Sequence, residues 1–283
     1  MHHAARGRRR IRTLIVVPSR YGSTRFPVKP LHQIAGVSLL ARVAKIAADV
    51  AAARADVSYV VATDHVEIEA HAKSIGAPVV MTDPELASGT DRALAAAKSL
   101  AYTPDFVVNL QGDAPFTDPA HIEAVIAAAE ASDADVVTPV IQMDWDALDR
   151  VRDQKMREPF SGTSCIRLAN GRAIWFSKQV VPAIRKEDRL RTEQRLSPVF
   201  RHLGLYGYRM DALERFAALP VGHYEALEGL EQLRFLENGM TIDTVAVDSG
   251  RFAMWGIDTP EDAALAEAII AEHGDPFETG VAM

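Results

Sequence analysis

The chain has 283 residues, of which 48% are hydrophobic and 24% are charged, and its formal net charge is -7. This is the composition of a globular protein with one large domain or two smaller ones, and the acidic balance argues against a nucleic-acid-binding surface. The single cysteine, Cys165, excludes an intrachain disulfide and a cysteine metal cluster, and it suits a reducing compartment.

The ends of the chain differ in character from its middle. Residues 1–11 are basic and predict a disordered tail, residues 12–274 predict a single domain, and residues 275–283 predict a frayed end. No stretch approaches the roughly 18 apolar residues that a membrane span needs. We therefore expect a cytoplasmic protein without membrane insertion.

Strand-like and helical patterns alternate through the first half of the chain. Strands are predicted at residues 14–17, 59–63, 78–82, 106–110 and 135–140, and helices at 38–53, 66–75, 88–100 and 121–131. This alternation predicts an α/β fold in which helices cover both faces of a mostly parallel sheet.

The pattern weakens across residues 144–200, which we interpret as an insert. The second half predicts a hairpin of residues 165–168 and 173–177, an exposed charged loop at 185–197, strands at 202–209, 242–247 and 254–257, and helices at 211–218, 224–238 and 259–273.

The loop of residues 18–30 joins the first strand to the first helix, where open α/β sheets bind ligands. It carries the cations Arg20, Arg25 and Lys29 beside hydroxyl groups such as that of Ser23. Cations and free backbone N–H groups favour a polyphosphate, whereas the alternative is a solvated basic loop. The segment is not a Walker P-loop, because its glycine pattern is absent.

Two aspartates follow predicted strands at distant points of the chain. Asp113 ends the strand at 106–110, and Asp258 precedes the last helix. Both suit Mg²⁺, which takes one or two carboxylates together with phosphate oxygens. The alternatives stay open: Asp113 could stabilise a turn, and Asp258 could cap the helix in place of Thr259.

Three further segments could contact a ligand. Residues 88–92 place small polar groups at a helix start, although spacing favours simple capping. The predicted strand of residues 201–208 places His202, Gly204, Tyr206 and Tyr208 on one face, which suits a hydroxyl-rich ligand or a half-exposed strand equally well. Residues 230–234 show a packing pattern in which Glu231 and Gln232 could still face a ligand.

Taken in order, these segments resemble the CMP-Kdo synthetases (3-deoxy-manno-octulosonate cytidylyltransferases) from about residue 13 to about residue 270. The resemblance implies a Rossmann-like domain of the nucleotide-diphospho-sugar transferase type, with a small inserted β-rich region for dimerisation and the sugar site. It also implies a homodimer that uses Mg²⁺ to transfer CMP from CTP to an acidic sugar, for lipopolysaccharide or capsule synthesis.

The resemblance further implies a role for individual residues. The groups expected at the reacting phosphates are Arg20, Arg25, Lys29, Asp113 and Asp258, of which Asp113 and Asp258 bind the metal. The nucleotide is expected to contact Pro18, Ser19, Arg20, Ser23, Lys29, Ser88, Gly89, Thr90, Arg92 and Gln111. The sugar is expected to contact Gln111, Lys178, His202, Tyr206, Glu231 and Gln232.

The chain departs from the family pattern at three positions of the expected site. Val28 stands where glycine commonly precedes the loop lysine, Ala114 replaces an acidic residue, and Lys178 replaces an arginine. Lysine cannot grip a carboxylate bidentately as arginine can. The alternatives are therefore the same chemistry on an 8-amino Kdo or sialic-acid-like sugar, or a non-catalytic nucleotide-binding homologue.

Overall fold

The alternating apolar segments assemble into one large sheet in a computed structural model, which describes residues 10–22, 26–249 and 256–279. The strands are β1 (Thr13–Ser19), β2 (Gln33–Ile34), β3 (Val37–Ser38), β4 (Val57–Thr63), β5 (Val79–Met81), β6 (Phe106–Asn109), β7 (Val136–Asp144), β8 (Ser164–Arg167), β9 (Ala173–Ser177), β10 (Leu196–His202), β11 (Tyr206–Arg209) and β12 (Ile242–Ala246).

The helices lie between these strands as the sequence pattern predicts for most of the chain. They are α1 (Leu39–Ala53), α2 (Val66–Ser74), α3 (Gly89–Ser99), α4 (Pro119–Ala131), α5 (Trp145–Arg157), α6 (Glu187–Glu193), α7 (Met210–Ala217), α8 (His223–Glu228), α9 (Glu231–Glu237), α10 (Pro260–His273) and α11 (Pro276–Thr279). A short 3₁₀ helix spans Lys29–Leu31. Within the described ranges, no helix combines the length and apolar character needed to cross a bilayer.

The main sheet has the strand order β5-β4-β1-β6-β11-β7-β10-β8-β9, and β12 pairs with β7. The β5-β4-β1-β6 portion is parallel, whereas β11, β10, β8 and β9 run antiparallel to their neighbours. The small hairpin of β2 and β3 lies outside this sheet.

Strand β1 shows why both faces of the sheet carry helices. Ile15 and Val17 belong to one buried cluster, with side chains of α1, α4 and α10. Leu14 and Val16 point the other way, into a cluster with α3, α7 and α9. Successive strand residues face opposite sides, so a continuous apolar run has to be covered twice. The predicted α/β fold is confirmed.

Several predicted elements are wrong in detail. The predicted loop at 185–197 contains helix α6, and the weakly periodic insert begins with helix α5. The predicted helix at 224–238 is divided into α8 and α9 after Gly229, whose φ of 64° ends the first helix. The predicted strand at 202–209 is interrupted between β10 and β11. Residues 254 and 255 of the predicted strand at 254–257 lie outside the described residues, and residues 256 and 257 are not in a strand.

The last residues of the described chain contact Arg42 of helix α1. Residues 275–279 were expected to belong to a frayed end, and they include helix α11 and Asp275. The carboxylate of Asp275 accepts from the buried guanidinium of Arg42 at 2.7 Å, and Arg42 also donates to the carbonyl of Ile34. Ile11, at the other end, is buried in the core.

Candidate active site

The carboxyl ends of β1 and β6 border a cleft of about 540 Å³. The two loops that follow these strands approach each other closely at Gly112. A Cβ atom at Gly112 would lie 2.2 Å from the carbonyl oxygen of Pro18, so only glycine fits there. The cleft therefore opens where parallel strands end, as in other open α/β sheets.

Most of the predicted nucleotide and metal residues line this cleft. They are Pro18, Ser19, Arg20, Lys29, Ser88, Gly89, Arg92, Gln111, Asp113 and Asp258. Ser23 and Arg25 lie outside the described residues. The hydroxyl of Ser19 is buried without a hydrogen-bond partner in the described part of the chain. Such groups are rare in folded proteins, and this hydroxyl is available to a ligand.

Asp113 and Asp258 meet at a common cation. The ammonium group of Lys29 donates to Oδ2 of Asp113 at 2.7 Å and to Oδ1 of Asp258 at 3.2 Å. The backbone N–H of Ile257 donates to the carbonyl of Asp113 at 2.9 Å, which fixes the segment before Asp258 against the segment after β6. Three points distant in sequence thus converge at one end of the cleft.

Thr259 and Asp262 satisfy the backbone groups at the start of α10. Thr259 accepts from the N–H of Asp262 at 3.2 Å, and Asp262 accepts from the N–H groups of Thr259 and Asp258, both at 2.9 Å. Of the two alternatives left open by the sequence, Thr259 and not Asp258 is therefore the cap of this helix. Because Thr259 and Asp262 satisfy the helix start, Asp258 can point toward Lys29.

The paired carboxylates fit a hard divalent cation, which prefers oxygen ligands. Across residues 10–22, 26–249 and 256–279, no group of three or more His, Cys, Asp or Glu side chains could hold a metal ion. Two carboxylates would leave further ligand positions to phosphate oxygens and water, which is the usual arrangement for Mg²⁺ beside a nucleotide.

The start of α3 uses several of its polar groups internally. The Ser88 hydroxyl caps the helix by accepting from the N–H of Asp91 at 3.1 Å. Arg92 is buried, and its guanidinium pairs with Asp64 at 3.0 Å and donates to Thr82. The Arg92 guanidinium therefore lines the cleft but is already paired with protein groups. The N-terminus of α3 is still a favourable place for an anion.

A second group of predicted residues adjoins the cleft through β11, whose Tyr206 pairs with Asn109 of β6. The Tyr206 hydroxyl donates to Oε1 of Gln232 at 2.9 Å, and burial raises its pKa far above the usual value. The Nε2 group of Gln232 is buried without a partner in the described part of the chain. Thr90 donates to Glu231 at 2.6 Å and ties α3 to α9, and its contact with the nucleotide stays a prediction.

The imidazole of His202 is held in one tautomer. Its Nε2 lies 2.8 Å from the hydroxyl of Thr138, and that hydroxyl lies 2.7 Å from the carbonyl of Leu205. A carbonyl can only accept, so the single Thr138 proton goes to Leu205 and His202 Nε2 must donate. Burial, and then the charge of Lys178, lower the pKa of His202 to about 3. Neutral His202 thus presents Nδ1 as an acceptor.

Comparisons with known proteins agree with this geometry. The family model for cytidylyltransferases matches residues 14–242 of the chain. A 3-deoxy-manno-octulosonate cytidylyltransferase from Maricaulis maris is 42% identical over 263 residues, covering 93% of this chain and 98% of that protein. A protein of the same name from Phocaeicola vulgatus is 38% identical over 265 residues, covering 91% and 97%. The chain belongs to the 3-deoxy-manno-octulosonate cytidylyltransferase family.

A solved structure extends the likeness of this cytidylyltransferase to three dimensions. It is described as CMP:2-keto-3-deoxy-manno-octonic acid synthetase complexed with CTP, and it aligns with a TM-score of 0.78 at 29% identity. The alignment covers 92% of this chain and 98% of that chain. The chain is therefore a nucleotidyltransferase, and enzymes of this family generally use a divalent metal ion.

Lys178 of the cytidylyltransferase is fixed through its backbone on both sides. Its N–H donates to the carboxylate of Glu228, and its carbonyl accepts from Nζ of Lys155 at 2.5 Å. The Lys178 ammonium forms no hydrogen bond or ion pair within the described ranges, and burial lowers its pKa. The negative charge of Glu228 acts against this shift. A partly desolvated cation with no hydrogen bond or ion pair in the described ranges is suited to an anion, which favours the predicted contact with an acidic sugar.

Sequence reasoning missed the residues that hold the predicted ones in place. These are Asp64 beside Arg92, Thr138 beside His202, and Lys155 and Glu228 beside Lys178. Asp64 did stand at a predicted strand end, which was a usable signal. The other contacts join positions 23 to 64 residues apart in the chain, and no spacing rule reports them.

Proposed function

We propose that this cytidylyltransferase transfers CMP from CTP to the C2 hydroxyl of a 3-deoxy-2-ulosonic acid, with Kdo as the acceptor and Mg²⁺ as the metal. The observation that carries the proposal is the meeting of Lys29, Asp113 and Asp258 in the cleft that Arg20 also lines. The names of the relatives support the acceptor, and the CTP in the related structure supports the donor. The product would serve lipopolysaccharide or capsule synthesis.

The reaction is an in-line displacement at the α-phosphorus. The sugar oxygen forms a bond to that phosphorus, the bond to the β,γ-pyrophosphate breaks, and the hydroxyl proton is released to solvent. Arg20 and Lys29 stabilise the charge on the departing pyrophosphate, and Arg25, which lies outside the described residues, is expected to join them. Mg²⁺ on Asp113 and Asp258 would supply further charge stabilisation.

The acceptor side is proposed to lie at the second group of residues. The ammonium of Lys178 pairs with the sugar carboxylate, and Nδ1 of His202 accepts a sugar hydroxyl. Gln232 donates its unpartnered Nε2–H group, while Tyr206 orients the Gln232 amide by binding its oxygen. These contacts position the acceptor, and positioning is the main way in which phosphoryl-transfer enzymes accelerate their reaction.

We also propose that the enzyme is a homodimer that works in the cytoplasm, where nucleoside triphosphates are supplied. The insert of residues 144–200 exposes large apolar side chains, among them Met156 at 84%, Phe160 at 67% and Ile174 at 50%. Large exposed apolar side chains are typical of protein interfaces. This supports the expectation that the inserted region supplies the dimer surface.

Pyrophosphate release from CTP, Kdo and Mg²⁺ tests the proposal directly. We expect turnover by the unaltered enzyme, and a loss of at least about 100-fold in kcat for D113N, because the variant removes a charge that acts at the reacting phosphates. D49N provides a matched control, since Asp49 is a half-exposed residue of α1 that pairs with Lys45. Normal turnover by D113N would contradict the metal role.

A panel of acceptors tests the substrate. Kdo, 8-amino Kdo and a sialic acid are compared at equal concentration, and the highest kcat/KM is expected for Kdo. A preference for another acid would support the proposed CMP transfer but contradict Kdo as its acceptor. CTP binding by calorimetry without pyrophosphate release from any acid would instead identify a non-catalytic homologue.

A further inference from the structure

Lys29 occupies the position between the two carboxylates that are proposed to bind the metal. Its ammonium lies 2.7 Å from Asp113 and 3.2 Å from Asp258. The Lys29 side chain is only 14% exposed, whereas those of Asp113 and Asp258 are 32% and 51% exposed. A lysine so far withdrawn from water is ordered by its partners, because a solvated lysine would keep its rotamer freedom.

Backbone structure fixes the segments that carry Lys29, Asp113 and Asp258. Lys29 begins a 3₁₀ helix that continues through the buried Pro30. The hydrogen bond from Ile257 to the carbonyl of Asp113 joins the other two segments. The carboxylates are consequently held close together, and a positive charge between them relieves their mutual repulsion.

The same carboxylate oxygens cannot serve Lys29 and a metal ion at full strength. Charge-assisted hydrogen bonds to Lys29 use Oδ2 of Asp113 and Oδ1 of Asp258, and these are the ligand atoms that a divalent cation prefers. A metal ion would also bring a second positive charge next to the ammonium. Metal entry therefore has to displace Lys29 from the pair.

We propose that Lys29 is the internal cation of the nucleotide-free enzyme, which keeps the carboxylate pair assembled and opposes metal binding until a triphosphate arrives. The triphosphate then offers Lys29 another anion, and the metal takes over the carboxylates. This inference rests on the proposed function for the identity of the site. It predicts that the metal binds tightly only together with the nucleotide.

Arg20 supplies a matched control for this displacement. It lines the same cleft and carries the same charge, but within the described ranges it forms no hydrogen bond or ion pair with Asp113 or Asp258. Removing Arg20 lowers the positive charge of the cleft by one unit and leaves the carboxylates paired with Lys29. Removing Lys29 lowers the charge by the same amount and also releases the carboxylates. The difference in metal affinity between the two variants therefore measures the effect of releasing the carboxylates.

The experiment measures Mn²⁺ binding by electron paramagnetic resonance without nucleotide or sugar, in the full-length wild type and in K29M, R20M, K29R and D113N. We expect K29M to bind Mn²⁺ at least about tenfold more tightly, because the metal no longer competes with the two charge-assisted hydrogen bonds of Lys29. The Mn²⁺ affinities of R20M and K29R are expected to lie within about threefold of the wild-type affinity. R20M leaves the contacts of Lys29 in place, and K29R keeps a cation between the carboxylates. D113N is expected to lose binding.

Three results would overturn the proposal: unchanged or weaker Mn²⁺ binding in K29M, an equal gain in R20M, or tight metal binding by the nucleotide-free wild type. Thermal unfolding verifies that K29M is folded, and K29Q replaces it if it is not. Turnover of the wild type with CTP and Kdo is measured separately, so failure of the proposed function is seen independently of the metal affinities.

Discussion

Gly207 in β11 lies against the core with no room for a side chain. A Cβ atom there would lie 2.2 Å from Cζ of Phe106 and 2.9 Å from Cγ1 of Val125. We predict that G207A lowers the free energy of unfolding by about 1–3 kcal/mol, because overpacking forces buried neighbours to move. Urea unfolding monitored by circular dichroism provides the measurement.

Gly204, three residues earlier, makes the control. A Cβ atom at this position would have no neighbour within 4 Å. G204A should change the free energy of unfolding by less than about 0.5 kcal/mol. Equal effects of the two substitutions would show that packing against Phe106 is not the cause.

Thr138 is predicted to set the tautomer of His202. T138V removes the hydroxyl to which His202 Nε2 donates, so we expect a mixture of tautomers and a several-fold higher KM for the sugar with a smaller change in kcat. T138S keeps the hydroxyl and should restore both. Nitrogen NMR of the imidazole reports the tautomer directly. If Thr138 had a purely structural role, T138V would leave the tautomer unchanged.

The wild-type spectrum can refute this assignment by itself. An Nδ1–H tautomer in the wild type would reverse the proposed hydrogen bonds at His202. The same spectra should show neutral His202 through the range in which exposed histidines titrate, because burial lowers its pKa to about 3.

Helix α6 shows how an element without a buried residue is kept in place. Glu187 accepts from Arg152 of α5 at 2.7 Å on both oxygens, and Arg191 reaches Asp149 of α5 at 2.6 Å. Hydrogen bonds from Arg152 and Arg191 lower the pKa of Glu187 to about 2. The network is solvated, so its contribution is limited by screening.

A pH dependence follows for E187Q. The folded pKa of Glu187 lies below its unfolded value of about 4.3, so its stabilisation is present above that pH and is lost as the pH falls toward 2. We predict that E187Q lowers the free energy of unfolding at pH 7 by less than about 1 kcal/mol, and that the difference shrinks in strong salt.

Urea unfolding of the wild type and E187Q at pH 7, 5 and 3 gives this difference directly. E193Q lies on the same helix and removes a pair with Arg189, whose side chain is 69% exposed, so a smaller effect is expected. A difference that grows as the solution becomes acidic would contradict the assignment.

At the scale of the whole molecule, the exposed apolar side chains of the insert predict the assembly state. We expect the wild type to be a dimer by light scattering, and M156D combined with F160D to shift it toward the monomer, because each charge would have to be buried in the interface. L265D is the control, since Leu265 of α10 is 53% exposed and lies outside the insert. A monomeric wild type, or equal dissociation by L265D, would remove the proposed surface.

Local interactions explain which parts of this molecule were predictable. The apolar run of β1, the caps Ser88 and Thr259, and the alternation of strands and helices depend on residues a few positions apart. The order of motifs then sufficed for the family and for most of the cleft. Helix α6 was missed because it lacks an apolar face, and its partners lie on α5.

The sequence by itself determined an α/β cytidylyltransferase with cations after the first strand and two carboxylates after later ones. Only the tertiary structure decided that Lys29 lies between Asp113 and Asp258, which are 84 and 229 residues away. It also decided that Arg92 is engaged by Asp64 and that Thr138 orients His202. Capping and periodicity act within a turn or two, whereas these contacts depend on which strands are neighbours in the sheet.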